Sequence, residues 1–178
     1  MLLTANDIAN EMRMGRIEIT PFNQCQLGTN SYDVCLAPNL LRIVDDVLDL
    51  SLPYKTQEII LGLEGMYLYP DECYLGVTVE RTKTPYHVPV YEGRSTMGRY
   101  FIQSHMTAGF GDIGFDNHWT LEITVKKPTK VYPFMRIGQI GFHTTSRQIS
   151  RQYSGHYSGG YSENPIPRVG VPGNYTTN

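Results

Sequence analysis

The stretch Trp119-Thr120-Leu121-Glu122-Ile123-Thr124-Val125 decides the fold class. Its apolar side chains, Trp119, Leu121, Ile123 and Val125, alternate one by one with Thr120, Glu122 and Thr124. Alternation at period two marks a strand with one face on a core, because successive Cβ atoms point to opposite faces of a sheet. Cys73 to Val79 repeats the pattern, with Cys73, Leu75, Val77 and Val79 set against Tyr74, Gly76 and Thr78. Turn signals punctuate such runs at Tyr69-Pro70-Asp71-Glu72, Thr84-Pro85, Lys127-Pro128 and Tyr132-Pro133. One segment alone reads as helix: Thr4 and Asp7 form a capping box, and Ile8, Met12 and Met14 give a short apolar stripe before Gly15. Many short strands without αβ alternation predict a mainly β sandwich, jelly roll or barrel with a short N-terminal helix.

A chain of 178 residues predicts one domain, at most with a tail. The tail reads from Arg151, where Tyr153-Ser154-Gly155-His156-Tyr157-Ser158-Gly159-Gly160-Tyr161 is rich in Gly, Ser and Tyr and is followed by Pro165, Pro167 and Pro172. Residues 1–150 are therefore expected as the folded domain and 151–178 as a C-terminal arm, either frayed or closing over a ligand. A formal net charge of −2 excludes a non-specific nucleic-acid coat, which needs excess cations to displace counterions. No apolar run approaches the roughly 20 residues of a membrane span, and the N-terminus lacks the regions of a signal peptide. A cytoplasmic protein without a membrane partner is the simplest expectation. Cys25, Cys35 and Cys73 are odd in number and contain no C-x-x-C pair, which argues against a disulfide framework or a common zinc site. They are expected as small buried hydrophobes.

Chemistry concentrates in residues 92–123, EGRSTMGRYFIQSHMTAGFGDIGFDNHWTLEI. Within Gly93-Arg94-Ser95-Thr96-Met97-Gly98-Arg99 lie guanidinium forks, hydroxyl donors and glycines, the groups a polyphosphate needs. On its own this is a weak signal, since a surface turn with two solvated arginines is more common. Glu122 stands mid-strand on the face opposite four apolar residues. On an open face it would be an ordinary solvated carboxylate. Lining a pocket or interface, it becomes a partly desolvated proton shuttle. Asp112, in a glycine-flanked loop, could share such a site.

These residues resemble one family specifically. Gly93-Arg94-Ser95-Thr96-Met97-Gly98-Arg99 is similar to the G-R-S-S-x-x-R of the dCTP deaminases, members of the trimeric dUTPase superfamily. The likeness continues without a gap through Ser104-His105, Thr107-Ala108-Gly109-Phe110, Asp112, Gly114-Phe115 and Thr120-Leu121-Glu122-Ile123, then Arg136-Ile137-Gly138-Gln139. Pro21-Phe22-Asn23 and Ser31-Tyr32-Asp33-Val34 also fit. The chain departs from the family pattern at Gly111, Asn117 and Trp119. In the arm, Tyr153 and Tyr161 are in register, while Gly160 and Asn164 stand where the family has Lys and Gln.

The resemblance implies a dUTPase-like distorted jelly roll or β-barrel, homotrimeric, with active sites between subunits. It implies deamination of dCTP without zinc, and the chain indeed lacks the H-x-E and P-C-x-x-C of zinc deaminases. Glu122 takes the catalytic position, with Ser95 and Arg99 holding the water and the carboxylate. Arg94, Ser95 and Thr96 take phosphate oxygens, and Mg²⁺ is chelated mainly by the triphosphate rather than directly by the protein. Phe115 matches the aromatic on which the deoxyribose rests. The implied substrate site further includes Met97, Gly98, Ala108, Leu121, Thr120, Gln139, Tyr153, Tyr161 and Asn164. Gly109-Phe110 follows the bifunctional members, which go on to cleave dUTP to dUMP and pyrophosphate, with Asp112 as candidate base. The alternatives are a deaminase that releases dUTP, a dUTPase alone, or a non-catalytic nucleotide-binding trimer. The resemblance also suggests dTTP as a feedback inhibitor.

Overall fold

The alternating segment becomes strand β9 (Asp116–Val125), an inner strand of the largest sheet in the computed structural model, which describes residues 1–173. The chain enters through helix α1 (Ala5–Arg13) and strand β1 (Glu18–Thr20). It continues as β2 (Tyr32–Cys35), β3 (Asn39–Ile43), β4 (Thr56–Ile60), β5 (Met66–Leu68), β6 (Tyr74–Lys83) and β7 (Val88–Gly93). A short helix α2 (Ser95–Arg99) precedes β8 (Ile102–Gln103), then β9, β10 (Thr129–Val131) and β11 (Arg136–His143) follow. Each turn signal read from the sequence falls between two of these strands.

Three sheets result. The largest runs β4-β3-β6-β9-β8, with β1 paired to the C-terminal half of β6. The second runs β2-β11-β7, and β10 pairs with β5. All pairings are antiparallel. The first two sheets share one core, in which Leu121, Ile123 and Val125 of β9 join Val34 of β2 and Ile137, Ile140 and Phe142 of β11. In β9 the burial follows the alternation residue by residue: Trp119, Leu121, Ile123 and Val125 are buried, and Thr120, Glu122 and Thr124 are half-buried. The mainly β expectation with a short N-terminal helix therefore holds. In α1 the Asp7 carboxylate accepts from the Thr4 N–H at 3.0 Å and the Thr4 hydroxyl at 2.7 Å, and Ile8 is the residue it buries. Among the described residues no helix is long and apolar enough to cross a membrane.

Strand β6 departs from the simple alternation. Its register with β9 shifts between Val77, opposite Thr120, and Arg81, opposite His118, so four residues of β6 span two of β9. This bulge moves burial onto Thr78, Glu80 and Thr82, while Val79 becomes half-buried; Tyr74 is buried as well. The Thr78 hydroxyl repairs the interrupted ladder, accepting from the Trp119 N–H at 2.9 Å and donating to the Glu80 carbonyl at 2.7 Å. The cysteine expectation fails too. Cys25 and Cys73 are exposed and Cys35 is half-buried, because Cys25 sits in a surface 3-10 turn and Cys73 precedes the buried part of β6.

The bulge also buries a carboxylate. Glu80 is 2% exposed, and accepts from the Gln26 amide at 2.6 Å and the Cys35 N–H at 2.8 Å. Burial raises its pKa above the ordinary 4.5, against the opposing pull of those hydrogen bonds. A raised folded-state value means that this group favours the fold most below its ordinary pKa and loses that contribution as pH rises through the raised one. We expect Glu80→Ala, which strands two buried donors, to lower unfolding free energy by about 1–3 kcal/mol in urea titration. An unchanged midpoint would show that the cluster is not structural.

Candidate active site

Because β8 pairs with β9 only at Val125 and Thr124, the N-terminal half of β9 has no strand neighbour on that side among the described residues. A cavity of about 420 Å³ opens there, and the polar face of β9 forms its wall with Thr120 and Glu122. The Glu122 carboxylate accepts from the backbone N–H of Met106 at 3.1 Å, which ties it to the loop after β8.

That loop continues as Ala108 to Phe115 and supplies the second wall. It is fastened to β7, where Tyr91 N–H donates to Gly109 O at 2.7 Å and Gly111 N–H donates to Pro89 O at 2.8 Å. Asp112 and Phe115 line the same cavity as Glu122, with Ala108 and the exposed ring of Phe110 at its margin. Phe115 packs on Trp119, ring centroids 4.9 Å apart, so it is both a core neighbour and a cavity surface. Gly111 is explained by the same tryptophan. A Cβ at Gly111 would lie 2.5 Å from the Trp119 ring and 2.8 Å from Pro89. The large residue at 119 and the absent side chain at 111 are two halves of one packing solution.

Residues of the arm line part of this cavity. Residues 151–173 contain no helix or strand and run along the uncovered edge of β9. Asp116 O accepts from Gly159 and Gly160 N–H at 3.0 Å, Asn117 Nδ2 donates to Tyr157 O at 2.6 Å, and Arg168 N–H donates to Thr120 Oγ1 at 2.9 Å. Tyr153, Tyr157 and Arg168 line the cavity as a result. Gly160 has φ +74°, a left-handed conformation that disfavours the lysine of the family pattern. Asn117 has its role in the bond to Tyr157. The Tyr161 ring packs tilted against His118, centroids 5.6 Å apart, and Asn164 lines a neighbouring cavity with Arg168.

Not all of the expected site residues meet. Ser95, Thr96, Gly98 and Arg99 are exposed on α2, and Arg94 pairs with Asp33 at 3.2 Å. None of them lines the cavity that holds Glu122. Gln139 belongs to this second group: it accepts from Ser31 Oγ at 2.7 Å and stands opposite Glu92 and Asp33 in its sheet. Met97 and Leu121 turn their side chains into the core, at 8% and 1% exposure, leaving only their backbones for a ligand. Sequence reading missed Tyr54, Tyr157, His118 and Arg168, which also line the cavity. Arg168 could have been found as the cation of the proline-rich segment; His118 carried no signal beyond its place two residues before Thr120.

Burial lowers the pKa of His118, and the imidazole has both nitrogens engaged, Nδ1 with Thr78 O at 3.0 Å and Nε2 with Ser162 N–H at 2.9 Å. It is thus not a free metal donor. Among the described residues no group of three His, Cys, Asp or Glu side chains converges.

The chain as a whole resembles known proteins. A family model described as dCTP deaminase-like matches residues 2–145. A Clostridium acetobutylicum protein named "dCTP deaminase, dUMP-forming" is 43% identical over 143 residues, 80% of this chain and 82% of that protein. A Leptospira biflexa protein of the same name is 42% identical over 151 residues, 84% of this chain and 86% of its own length. The solved structure of 2'-deoxycytidine 5'-triphosphate deaminase from Agrobacterium tumefaciens superimposes with a TM-score of 0.66 at 18% identity over 81% of this chain, which spans about half, 48%, of that one.

The packing of Gly111 against Trp119 gives a direct test. Gly111→Ile is expected to cost about 1–3 kcal/mol by overpacking. Trp119→Leu in the same chain should recover much of that loss, so a double-mutant cycle read by urea denaturation should show strong coupling. Simple additivity would contradict the packing account.

Proposed function

The chain belongs to the dCTP deaminase-like family, and on that premise we propose that it converts dCTP to dUMP by zinc-independent hydrolytic deamination followed by release of pyrophosphate. The observation that carries this reading is Glu122, a carboxylate held mid-strand at a cavity wall, with Asp112 and Phe115 on the facing loop. The relatives named "dCTP deaminase, dUMP-forming" support it over most of the chain.

In the first step water attacks C4 of the cytosine while Glu122 takes its proton. Glu122 passes that proton to N3, then takes the proton of the hydroxyl now on C4 and gives it to the amino group. The C4 carbonyl forms as the C4–N bond breaks, so dCTP and water become dUTP and ammonia. One fixed carboxylate serves as base and then as acid, and the Met106 N–H keeps it oriented. Phe115 offers its ring to the deoxyribose, where a 2′-hydroxyl would collide. In the second step a water deprotonated by Asp112 attacks the α-phosphorus, and pyrophosphate departs from dUMP. The pair Gly109-Phe110, which follows the bifunctional pattern, favours this reading over a deaminase that stops at dUTP.

The phosphate-binding group must come from another copy. Arg94, Ser95, Thr96 and Arg99 do not line the cavity of their own chain, so we infer a homotrimer of jelly-roll subunits in which α2 of one chain meets the Glu122 cavity of its neighbour. There Ser95 and Arg99 hold the water and the carboxylate, and Arg94 and Thr96 take phosphate oxygens, with Gln139 supporting the turn. Mg²⁺ held mainly by the triphosphate would supply neutralisation of phosphate charge, leaving Asp112 and Glu122 free to act as bases. The thymine analogue dTTP fits the same phosphate group as a competing ligand.

Incubation of the protein with dCTP and Mg²⁺ should yield dUMP, ammonia and pyrophosphate in equal amounts by chromatography. Glu122→Gln should reduce ammonia release by about 10²–10⁴-fold without unfolding the chain. Accumulation of dUTP would refute the second step, and robust turnover by the Gln variant would sink the first.

A further inference from the structure

His118 is the most constrained polar side chain of the cavity, and neither proposed step uses it. It is 5% exposed and lies on β9 between the bulge of β6 and the arm. Its two ring nitrogens face groups of fixed polarity. Nδ1 lies 3.0 Å from the carbonyl oxygen of Thr78, which can only accept, so Nδ1 carries the proton. Nε2 lies 2.9 Å from the backbone N–H of Ser162, which can only donate, so Nε2 must offer its lone pair. The ring is thereby fixed as the neutral tautomer protonated at Nδ1. The Tyr161 ring covers it at a centroid distance of 5.6 Å.

We propose that His118 is the positioning residue that latches the C-terminal arm over the cavity, and that only its neutral form can do so. A proton on Nε2 would set a donor against the Ser162 donor in a buried place. The bond that holds the middle of the arm, between Asp116 with Gly159 and Gly160 on one side and Asn39 with Pro165 on the other, would become a repulsion. The arm residues beside this bond face the cavity: Tyr157 on one side, and on the other Arg168, the one permanent cation among the cavity-lining residues. Arg168 has no ion pair among the described residues. Release of Ser162 therefore withdraws a cation from a cavity walled by the carboxylates Asp112 and Glu122, and a polyanionic ligand loses attraction there.

The surroundings favour the neutral ring. On β6 the charged neighbour is Arg81, whose positive field acts against imidazolium, although it is paired with Asp116 of β9 at 2.5 Å and Glu18 of β1 at 3.1 Å. On the arm the titratable and charged groups are the phenols of Tyr157 and Tyr161, the chain neighbour Glu163, and the guanidinium of Arg168, whose positive charge likewise acts against imidazolium. None of them bonds to the imidazole. Burial is the leading influence and lowers the pKa from its ordinary 6.5. A lowered folded-state value means that the latch is fully made above the ordinary pKa and is lost as pH falls through the lowered one.

Hydrogen exchange of peptides spanning 153–170, corrected for intrinsic pH dependence, reads arm closure without substrate. The wild-type arm should be protected at pH 7.5 and lose protection as pH falls towards 5. His118→Gln, whose side-chain oxygen can accept from Ser162 at any pH, should keep the arm protected across the range. His118→Ala should leave it open throughout. Ser162→Pro removes the donor from the exposed side, so it opens the arm even where core variants fail to fold. Equal wild-type protection at both pH values, or a protected arm in Ser162→Pro, would overturn the latch. The kinetic readout rests on the dCTP reading: at pH 7.5 His118→Ala should raise KM for dCTP about tenfold, with a smaller change in kcat, and His118→Gln should restore it. Absence of turnover in the wild type would reject that reading while exchange still decides the latch.

Discussion

The structure depends on the two-residue period of β9. Trp119, Leu121, Ile123 and Val125 are buried in the core, and that burial obliges Thr120 and Glu122 to face the other way. A slip of one residue would bury Glu122 and expose the core set, so hydrophobic burial is what aims the carboxylate. The same strand lacks a neighbour over its N-terminal half, because β8 reaches only Val125 and Thr124. The open edge becomes the cavity, and its unpaired backbone and side-chain groups become the docking line for the arm.

Gly111, Asn117, Trp119 and Gly160 each make contacts that lead from β9 towards the arm or the bulge. Trp119 fills the space a side chain at 111 would need, and its indole N–H finds Thr82 at 2.8 Å through the bulge of β6. Asn117 reaches the arm at Tyr157, and Gly160 adopts the left-handed turn that lets the arm bond to Asp116. His118, on the same strand, bonds to Ser162 of the arm. These residues thus lie along one physical path, from the bulge through β9 to the arm.

Much of this was legible in the residues. The alternation of β9, the capping box at Thr4 and Asp7, and each proline turn translate directly into structure, because they rest on local geometry that tertiary context does not overturn. The face of β6 was not legible. A bulge is fixed by the partner strand, and the Thr78 hydroxyl that repairs it looks in sequence like any strand threonine. The grouping of Ala108, Asp112, Phe115, Thr120 and Glu122 followed from the motif, whereas Arg168 and Tyr157 enter the cavity through long-range bonds of the arm that no spacing encodes. The cysteines failed for a simpler reason: composition gives an average burial, and Cys25 and Cys73 lie on the surface.

In the proposed assembly one chain carries the carboxylate and another the phosphate-binding helix. Arg99 on α2 is exposed in its own chain and Glu122 lines a cavity that α2 does not reach. Mixing two inactive variants, Glu122→Gln and Arg99→Ala, by co-refolding tests this most directly. Shared sites predict that activity returns to about a quarter of the sites in a statistically mixed symmetric oligomer. A mixture as inactive as its components would contradict the shared site and require both groups to act within one chain.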